Sequence, residues 1–465
     1  MPPFHHPCFL MPLAVLVLSE IGNSHGHVGL AAAASSLSSD TRTTFQLTSG
    51  SSIPLLGTGI GNLPHEEITQ VIHNQLEAGV RLIDTAHASN NEHLLAEAVA
   101  SYDAHAGAGL DPIHVVTKVW YTHLGYERTK ISVEESLANL QFSSIGSHRQ
   151  IFVHMLLHWP RCNDDIPWMN CEEEEMNLPQ RIKDAGPPPH LNKENAFIDS
   201  WKALEDIFQQ HQDILETTKG SNSPLIASIG VSNFDLDDMK RLLQTARIPP
   251  HIYQGNAWAV FHDPFLMNYL RDHGIFFQAY AVMTGILKGR NASSTSYNTL
   301  SRTSRELHAT IYAENEGAVI TEATVVLAYF IRHNIGVVPR AASSAHQREN
   351  SINAVHSVFP HLTETQIENL HLAIPALMKD DSNDKPPVVS VSFMNSLTSP
   401  IQVHWIQPET EKEILVSQVI HPGSVDVHGS HPGHRFVAYD PDRTVRKEFV
   451  VDAKYGESQH FYVEL

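Results

Sequence analysis

The sequence predicts an α/β fold, a (β/α)8 TIM barrel followed by a small all-β sandwich domain. Short β-branched runs alternate with amphipathic segments through residues 45–380, as in repeated βα units. There are eight such runs, which suits a closed parallel barrel. From residue 388 to residue 465 the pattern becomes apolar/polar alternation broken by Pro, Gly and Asp turns, the signature of short antiparallel strands.

In chain order, residues 1–44 read as a leader. Their apolar run at 9–18 is too short to span a bilayer as a helix, and no Lys or Arg precedes Arg42. Cleavage on the way into the secretory pathway or an organelle is one reading; a disordered tail on a cytoplasmic protein is the other. No transmembrane span is expected. Barrel strands are expected at 55–59, 81–84, 114–118, 151–158, 226–231, 252–256, 276–280 and 336–339. Helices are expected over 66–78, 92–101, 197–210, 235–246 and 321–333. Two long loops, 161–195 and the Ser/Thr-rich 288–304, are expected to cap the active-site face. The run of glutamates at 172–175 in the first reads as a solvated face. A polar stretch ending in two prolines makes 381–387 an interdomain linker.

Composition narrows the partners. Among 465 residues, 51 acidic and 31 basic side chains leave a net charge of -20, which argues against nucleic acid. The 31 histidines should erode that charge as pH falls toward 6. The cysteines are Cys8, in the leader, and Cys162 and Cys171, so at most one internal disulfide is expected. Asn291-Ala292-Ser293 is a glycosylation acceptor if the chain is secreted. No metal site is expected.

Chemistry in a barrel gathers where the strands end, and three titratable residues stand there. They are Asp84 in Leu82-Ile83-Asp84-Thr85-Ala86, Lys118 in Val116-Thr117-Lys118-Val119-Trp120, and His158 in Leu156-Leu157-His158-Trp159-Pro160. With Ile229-Gly230-Val231-Ser232-Asn233-Phe234 and Val338-Pro339-Arg340, these segments resemble the aldo-keto reductase superfamily over residues 45–380. The resemblance implies an NADPH-dependent oxidoreductase that reduces aldehyde or ketone carbonyls, with a small carbonyl compound as substrate. In that family a tyrosine protonates the carbonyl oxygen, a lysine lowers its pKa, an aspartate holds the lysine, and a histidine positions the carbonyl. Asp84, Lys118 and His158 match the last three roles, while Ser89 stands at the tyrosine position, five residues after the aspartate. A serine hydroxyl is shorter and far less acidic than a phenol. One reading therefore has His158, or a water held by Ser89 and Lys118, supply the proton. The other keeps Asp84 and Lys118 as a structural ion pair in a pseudoenzyme.

The same resemblance implies that Ser232, Asn233 and Gln254 meet the nicotinamide carboxamide and that Tyr280 stacks on its ring. Arg340, Ser343, His346 and Asn350 match contacts to the adenosine phosphate. Trp120 and Trp159 match substrate-pocket walls, with plain packing as the alternative, and Gly61 opens one side. Tyr121, the nearest tyrosine to the strand ends, is a remote substitute for the missing acid. The glycines of Gly57-Thr58-Gly59-Ile60-Gly61 have the wrong spacing for a Rossmann fingerprint and read as a tight strand and turn.

In the carboxy-terminal module, Trp405, His421-Pro422-Gly423, Ser430, Gly433-His434, Phe436 and Asp440 resemble the β-domain of the von Hippel-Lindau tumour suppressor. That resemblance implies a peptide-binding patch of Trp405, Ser430, His434 and Phe436, able to read a hydroxyproline in a protein partner. A structural or docking module is the alternative.

Overall fold

The computed structural model describes residues 43–106, 111–141, 149–163, 166, 169–217, 224–291, 294–315, 318–378, 389–406, 412–430, 434–451 and 458–464. The expected leader up to Arg42, the 381–387 linker, Ala292 and Ser293 of the glycosylation acceptor, and Gly433 lie outside the described residues.

An antiparallel pair opens the fold, β1 (Thr44–Gln46) and β2 (Ser52–Pro54). Phe45 stacks on Phe276 at 4.6 Å between ring centres, and Ser51 Oγ donates to Ala227 O at 3.0 Å. Both contacts lie where barrel strands begin, so this hairpin covers the end opposite the chemistry. The barrel follows as β3 (Thr58–Gly59), β4 (Leu82–Asp84), β5 (Ile113–Val119), β6 (Ile151–Leu157), β7 (Leu225–Ser232), β8 (Ile252–Asn256), β9 (Phe276–Tyr280) and β10 (Gly336–Val337). All eight are parallel and neighbours in chain order. The first and last strands meet through a Leu56–Val337 bridge and the bonds Gly57 N to Val337 O at 2.9 Å and Gly59 N to Pro339 O at 3.0 Å. The central strands are buried on both faces, hence the predominance of apolar residues in β5, β6 and β7. Glycine is required at 230, where a Cβ would lie 2.3 Å from Ile252 O across the β7–β8 pair.

All five expected helices form, as His65–Glu77, Glu92–Ala106, Ala196–Thr217, Leu236–Thr245 and Glu322–Arg332. Helix Tyr126–Asn139 was not expected, and its buried residues explain why: Arg128, Thr129, Ser132, Val133 and Ser136 are mostly polar, so apolar periodicity is faint. The Ser/Thr-rich loop expected over 288–304 is a correction. Helices Thr284–Asn291 and Thr295–Glu314 occupy it, the second capped by Ser294 Oγ, which accepts from Tyr297 N at 3.1 Å. Its hydroxyl residues are a cap and part of a buried face (Leu300, Thr303, Ser304, Leu307, Ile311) that recurs every three or four positions. The 161–195 segment likewise holds helices Cys171–Asn177 and Gln180–Asp184, and a Cys162–Cys171 disulfide fixes the start of the first to the exit of β6.

The carboxy-terminal module contains β11 (Val389–Asn395), β12 (Ile401–Ile406), β13 (Glu413–Ile420), β14 (Val425–Ser430), β15 (Arg435–Tyr439), β16 (Arg446–Val450) and β17 (Ser458–Val463). They form two sheets, β14-β11-β17 and β13-β12-β15-β16, antiparallel except for the β11–β17 pair. Between them lies an aromatic core in which Phe393 sits 5.1 Å from Phe436 and Phe449 sits 4.9 Å from Phe461. Phe436 is thus a correction: at 3% exposure it belongs to the core rather than to a peptide-facing wall. Period-two alternation along β15 sends it inward. Lys240 of helix Leu236–Thr245 donates to Val427 O of β14 at 3.3 Å, joining barrel and module. No helix of the described residues is long and apolar enough to cross a membrane.

Candidate active site

The parallel register lifts Asp84, Lys118 and His158 to the same end of three adjacent strands. Lys118 Nζ donates to Asp84 Oδ1 at 2.7 Å and to Thr85 O at 2.7 Å, with the lysine only 4% exposed. Two of its three ammonium protons are therefore committed, and one remains for the barrel mouth. Gln254 Nε2 donates to the same Asp84 oxygen at 2.7 Å and to Gln278 Oε1 at 2.7 Å. Gln254, expected to face a nicotinamide, is thus turned inward as a partner of Asp84; Gln278 escaped the sequence reading because nothing marks one buried amide in a strand.

His158 packs edge-on against Trp120, ring centres 4.9 Å apart, and its Nδ1 is buried with no hydrogen-bond partner. Burial and, secondarily, the nearby Lys118 charge push its pKa well below 6.5. A neutral imidazole can donate a hydrogen bond to a carbonyl oxygen but is not a reservoir of acid at neutral pH. Of the two donors considered from sequence, His158 is thereby disfavoured.

Ser89 ends the short turn His87–Ser89, whose carboxyl side is set by Asn90 in a left-handed conformation (φ 46°). Thr85 Oγ1 donates to Asn91 Oδ1, Asn91 Nδ2 to Ile60 O at 3.1 Å, and Thr117 Oγ1 to Glu92 Oε1 at 2.6 Å, so the segment is pinned on both sides of Ser89. The Ser89 hydroxyl makes no hydrogen bond to Asp84, Lys118 or His158. It faces Gly61, where an added Cβ would meet Ser89 Oγ at 3.6 Å and nothing else within 4 Å.

The residues expected to hold a cofactor lie on the following strand ends. Ser232 ends β7 fully buried, and Asn233 follows it in a left-handed conformation (φ 61°). Asn233 Nδ2 donates to His158 O at 3.0 Å and to Ser232 Oγ at 3.1 Å, while Tyr280 OH donates to Asn233 Oδ1 at 2.6 Å. Burial pushes the Tyr280 phenol up to about 12, so it stays neutral. Arg340 follows β10, exposed, with Nη1 3.4 Å from Gly61 O. Ser343 caps helix Ser344–Glu349, accepting from His346 N at 3.3 Å; His346 is exposed and Asn350, at the helix end, is buried. These groups run continuously from β7 past β10, and the unpartnered His158 Nδ1 lies beside them. Both Asn233 N–H donors and the Tyr280 hydroxyl proton are committed within the protein, so a nicotinamide here would meet the Tyr280 ring and the Asn233 oxygen, and a phosphate would meet Arg340.

Trp120 Nε1 donates to Glu174 Oε2 at 2.8 Å and Tyr121 OH to Glu174 Oε1. Tyr121 is therefore held by a carboxylate rather than offered to a substrate. Trp159 is half-buried, its ring 6.5 Å from that of His158. Glu175 takes both terminal nitrogens of Arg128 at 2.8 Å, so half of the acidic run is bound inward rather than solvated. The Cys162–Cys171 pairing was the one signal that could have brought this run to the β6 end. A cavity of about 390 Å³ opens beside these residues, lined by His87, Trp120, His123, Asn139, Glu174 and Leu178 among others.

In the carboxy-terminal module, Ser430 Oγ lies 3.1 Å from His434 Nδ1, and the His434 ring is 5.3 Å from that of Trp405. Trp405 Nε1 is buried without a hydrogen-bond partner. Three of the four residues expected in a peptide patch are thus brought together.

Residues 54–371 match the aldo/keto reductase family. Among similar proteins, a 9,11-endoperoxide prostaglandin H2 reductase of Trypanosoma cruzi is 22% identical over 64% of this chain and 81% of its own length. An NAD(P)H-dependent D-xylose reductase of Kluyveromyces lactis is 24% identical over 66% of this chain and 86% of its own length. The solved aldose reductase of Schistosoma japonicum superposes with a TM-score of 0.50 at 22% identity, covering 73% of this chain and 93% of that one. With a barrel of eight parallel strands and a family match over most of its length, this chain belongs to the aldo/keto reductase family.

Proposed function

We propose that this oxidoreductase reduces aldehyde or ketone carbonyls at the expense of NADPH, with the usual tyrosine acid replaced by Lys118 and solvent held between Lys118 and Ser89. The observation that carries the proposal is the buried Lys118–Asp84 pair, which leaves one ammonium proton directed away from its two fixed acceptors. Family membership, and a relative named for NAD(P)H, support a nicotinamide; Arg340, a guanidinium suited to a 2′-phosphate, supports NADPH over NADH. When bound, that cofactor supplies hydride to the carbonyl carbon. Asn233 and Tyr280 would hold its nicotinamide end, and Arg340, Ser343, His346 and Asn350 its phosphate end. His158 orients the carbonyl oxygen as a neutral donor, Trp120 and Trp159 wall the substrate, and Lys118 releases the proton that the oxygen takes up. Without a phenol the proton must travel further, so turnover is slow.

The test is NADPH consumption by purified protein over aldehydes, ketones and quinones, with Ser89→Tyr beside it. Restoring the phenol should raise turnover about 10²- to 10⁴-fold, the usual worth of a positioned general acid. If Ser89→Tyr turns over and the native protein does not, the barrel is a pseudoenzyme. That second reading is favoured by the Trp405–Ser430–His434 grouping, through which the module would bind a protein or hydroxyproline peptide. Calorimetric titration with matched proline and hydroxyproline peptides decides it; equal or absent binding removes peptide reading. We further propose secretion by way of the leader, since a disulfide such as Cys162–Cys171 persists in oxidising compartments. A mature chain that still begins at Met1 would refute cleavage.

A further inference from the structure

Beside the candidate active site, three side chains that are far apart in sequence and belong to three elements converge. His87 comes from the turn that carries Ser89, His123 from the turn Tyr121–His123, and Glu135 from helix Tyr126–Asn139. One nitrogen or oxygen of each lies within 4.8 Å of the other two. His87 Nε2 is 3.0 Å from Glu135 Oε2, and the two imidazoles meet edge to face at 4.9 Å between centres.

We propose that His87, His123 and Glu135 bind a divalent transition-metal ion of the zinc class. Two imidazoles and one carboxylate are borderline ligands that suit Zn²⁺ and its Co²⁺ surrogate, and not Mg²⁺ or Ca²⁺, which take oxygen alone. The surroundings hold the ligands as such sites require. Thr122 Oγ1 lies 3.0 Å from His123 Nδ1, and His123 is buried, so its ring is oriented before any ion arrives. An ion would replace the bond between His87 Nε2 and Glu135 Oε2, while Arg181, which approaches the other Glu135 oxygen at 3.5 Å from a largely exposed position, can stay or swing away.

Three protein ligands leave a fourth position. His87 and His123 both line the 390 Å³ cavity, together with Asn139, one turn beyond Glu135 on the same helix. The fourth position therefore opens on that cavity, where water or an oxygen donor of a small molecule would complete a tetrahedron. Three ligands plus an open position is the form of catalytic rather than structural zinc sites. An ion there would also tie the Ser89 turn to helix Tyr126–Asn139. Such a site is invisible in the sequence, since the ligand spacings of 36 and 12 residues fit no short metal motif. The proposal is independent of carbonyl reduction.

The test titrates tag-free, chelator-stripped full-length chain with Co²⁺, followed by visible absorption and by displacement with Zn²⁺. The native protein should bind a single Co²⁺ with the intense spectrum of a tetrahedral site, and Zn²⁺ should displace it. His87→Ala and Glu135→Gln, neither of them a deeply buried side chain, should fold as the native protein does by circular dichroism. Each should weaken binding by more than about 100-fold, beyond the 10- to 100-fold typical of losing a mere supporting partner. Absence of a tetrahedral Co²⁺ spectrum in the native protein overturns the proposal. So does an affinity that both variants leave unchanged, which would assign the ion to other histidines.

Discussion

Asp84 accepts from both Lys118 and Gln254, so a single carboxylate organises the floor of the site. Removing it while Lys118 stays buried leaves an uncompensated charge, a loss of about 3–5 kcal/mol in comparable cases. Asp84→Ala should therefore lower the urea midpoint by that free energy. Asp84→Asn keeps the volume and an acceptor for Lys118 and removes only the charge, so a loss equal to that of Asp84→Ala is expected if charge holds the pair; a much smaller loss would show that packing and hydrogen bonding hold it. Asp84, Lys118 and His158 were legible in the sequence because a strand end fixes where a side chain goes. The roles of Gln254, Gln278 and Glu174 were not, because each is set by a partner more than 20 residues away in sequence.

Among the elements, the barrel strands could be read because parallel strands buried on both faces are rich in apolar and β-branched residues and alternate with helical segments. Helix Tyr126–Asn139 escaped because its inward face is mostly polar. Helix Tyr126–Asn139 buries Arg128 at 1% exposure, where Glu175, Gly186 O and Thr122 O take all its guanidinium nitrogens. That cation joins the helix to the segment that carries Glu174, and so to the Trp120 wall. Arg128→Lys cannot form the two-pronged bond and should destabilise the fold measurably; Arg128→Ala should cost about 3–5 kcal/mol. Thermal melts of the two, with intrinsic fluorescence reporting the Trp120 environment, check this. Unchanged melting would mean that Glu172–Glu175 is the solvated face its composition suggests.

For the whole molecule, the 31 histidines do not titrate together as composition implies. Burial lowers His114, His251 and His333 to about 4, and burial also holds His154, which lies between His114 and Ser228, well below 6.5. These groups stay neutral in the folded chain between pH 6.5 and about 4 but take up protons when it unfolds. Stability is thus undiminished above pH 6.5 and falls as pH drops through that window, by up to about 1.4 kcal/mol per pH unit per histidine. Melting temperatures should hold from pH 7.5 to 6.5 and decline from there to 4.5, and replacing His154 with Gln should flatten the decline. A flat native profile would show that the buried histidines are protonated in the folded state.

In the proposed reaction Lys118, not a tyrosine, gives up the proton during carbonyl reduction. The most direct measurement is steady-state NADPH oxidation by the native chain and by Lys118→Met with the best carbonyl substrate, with NADPH binding measured by fluorescence in both. Slow native turnover that disappears in Lys118→Met while NADPH still binds is the predicted result. Turnover that survives the loss of the lysine, or none in a native protein that binds NADPH, would contradict it.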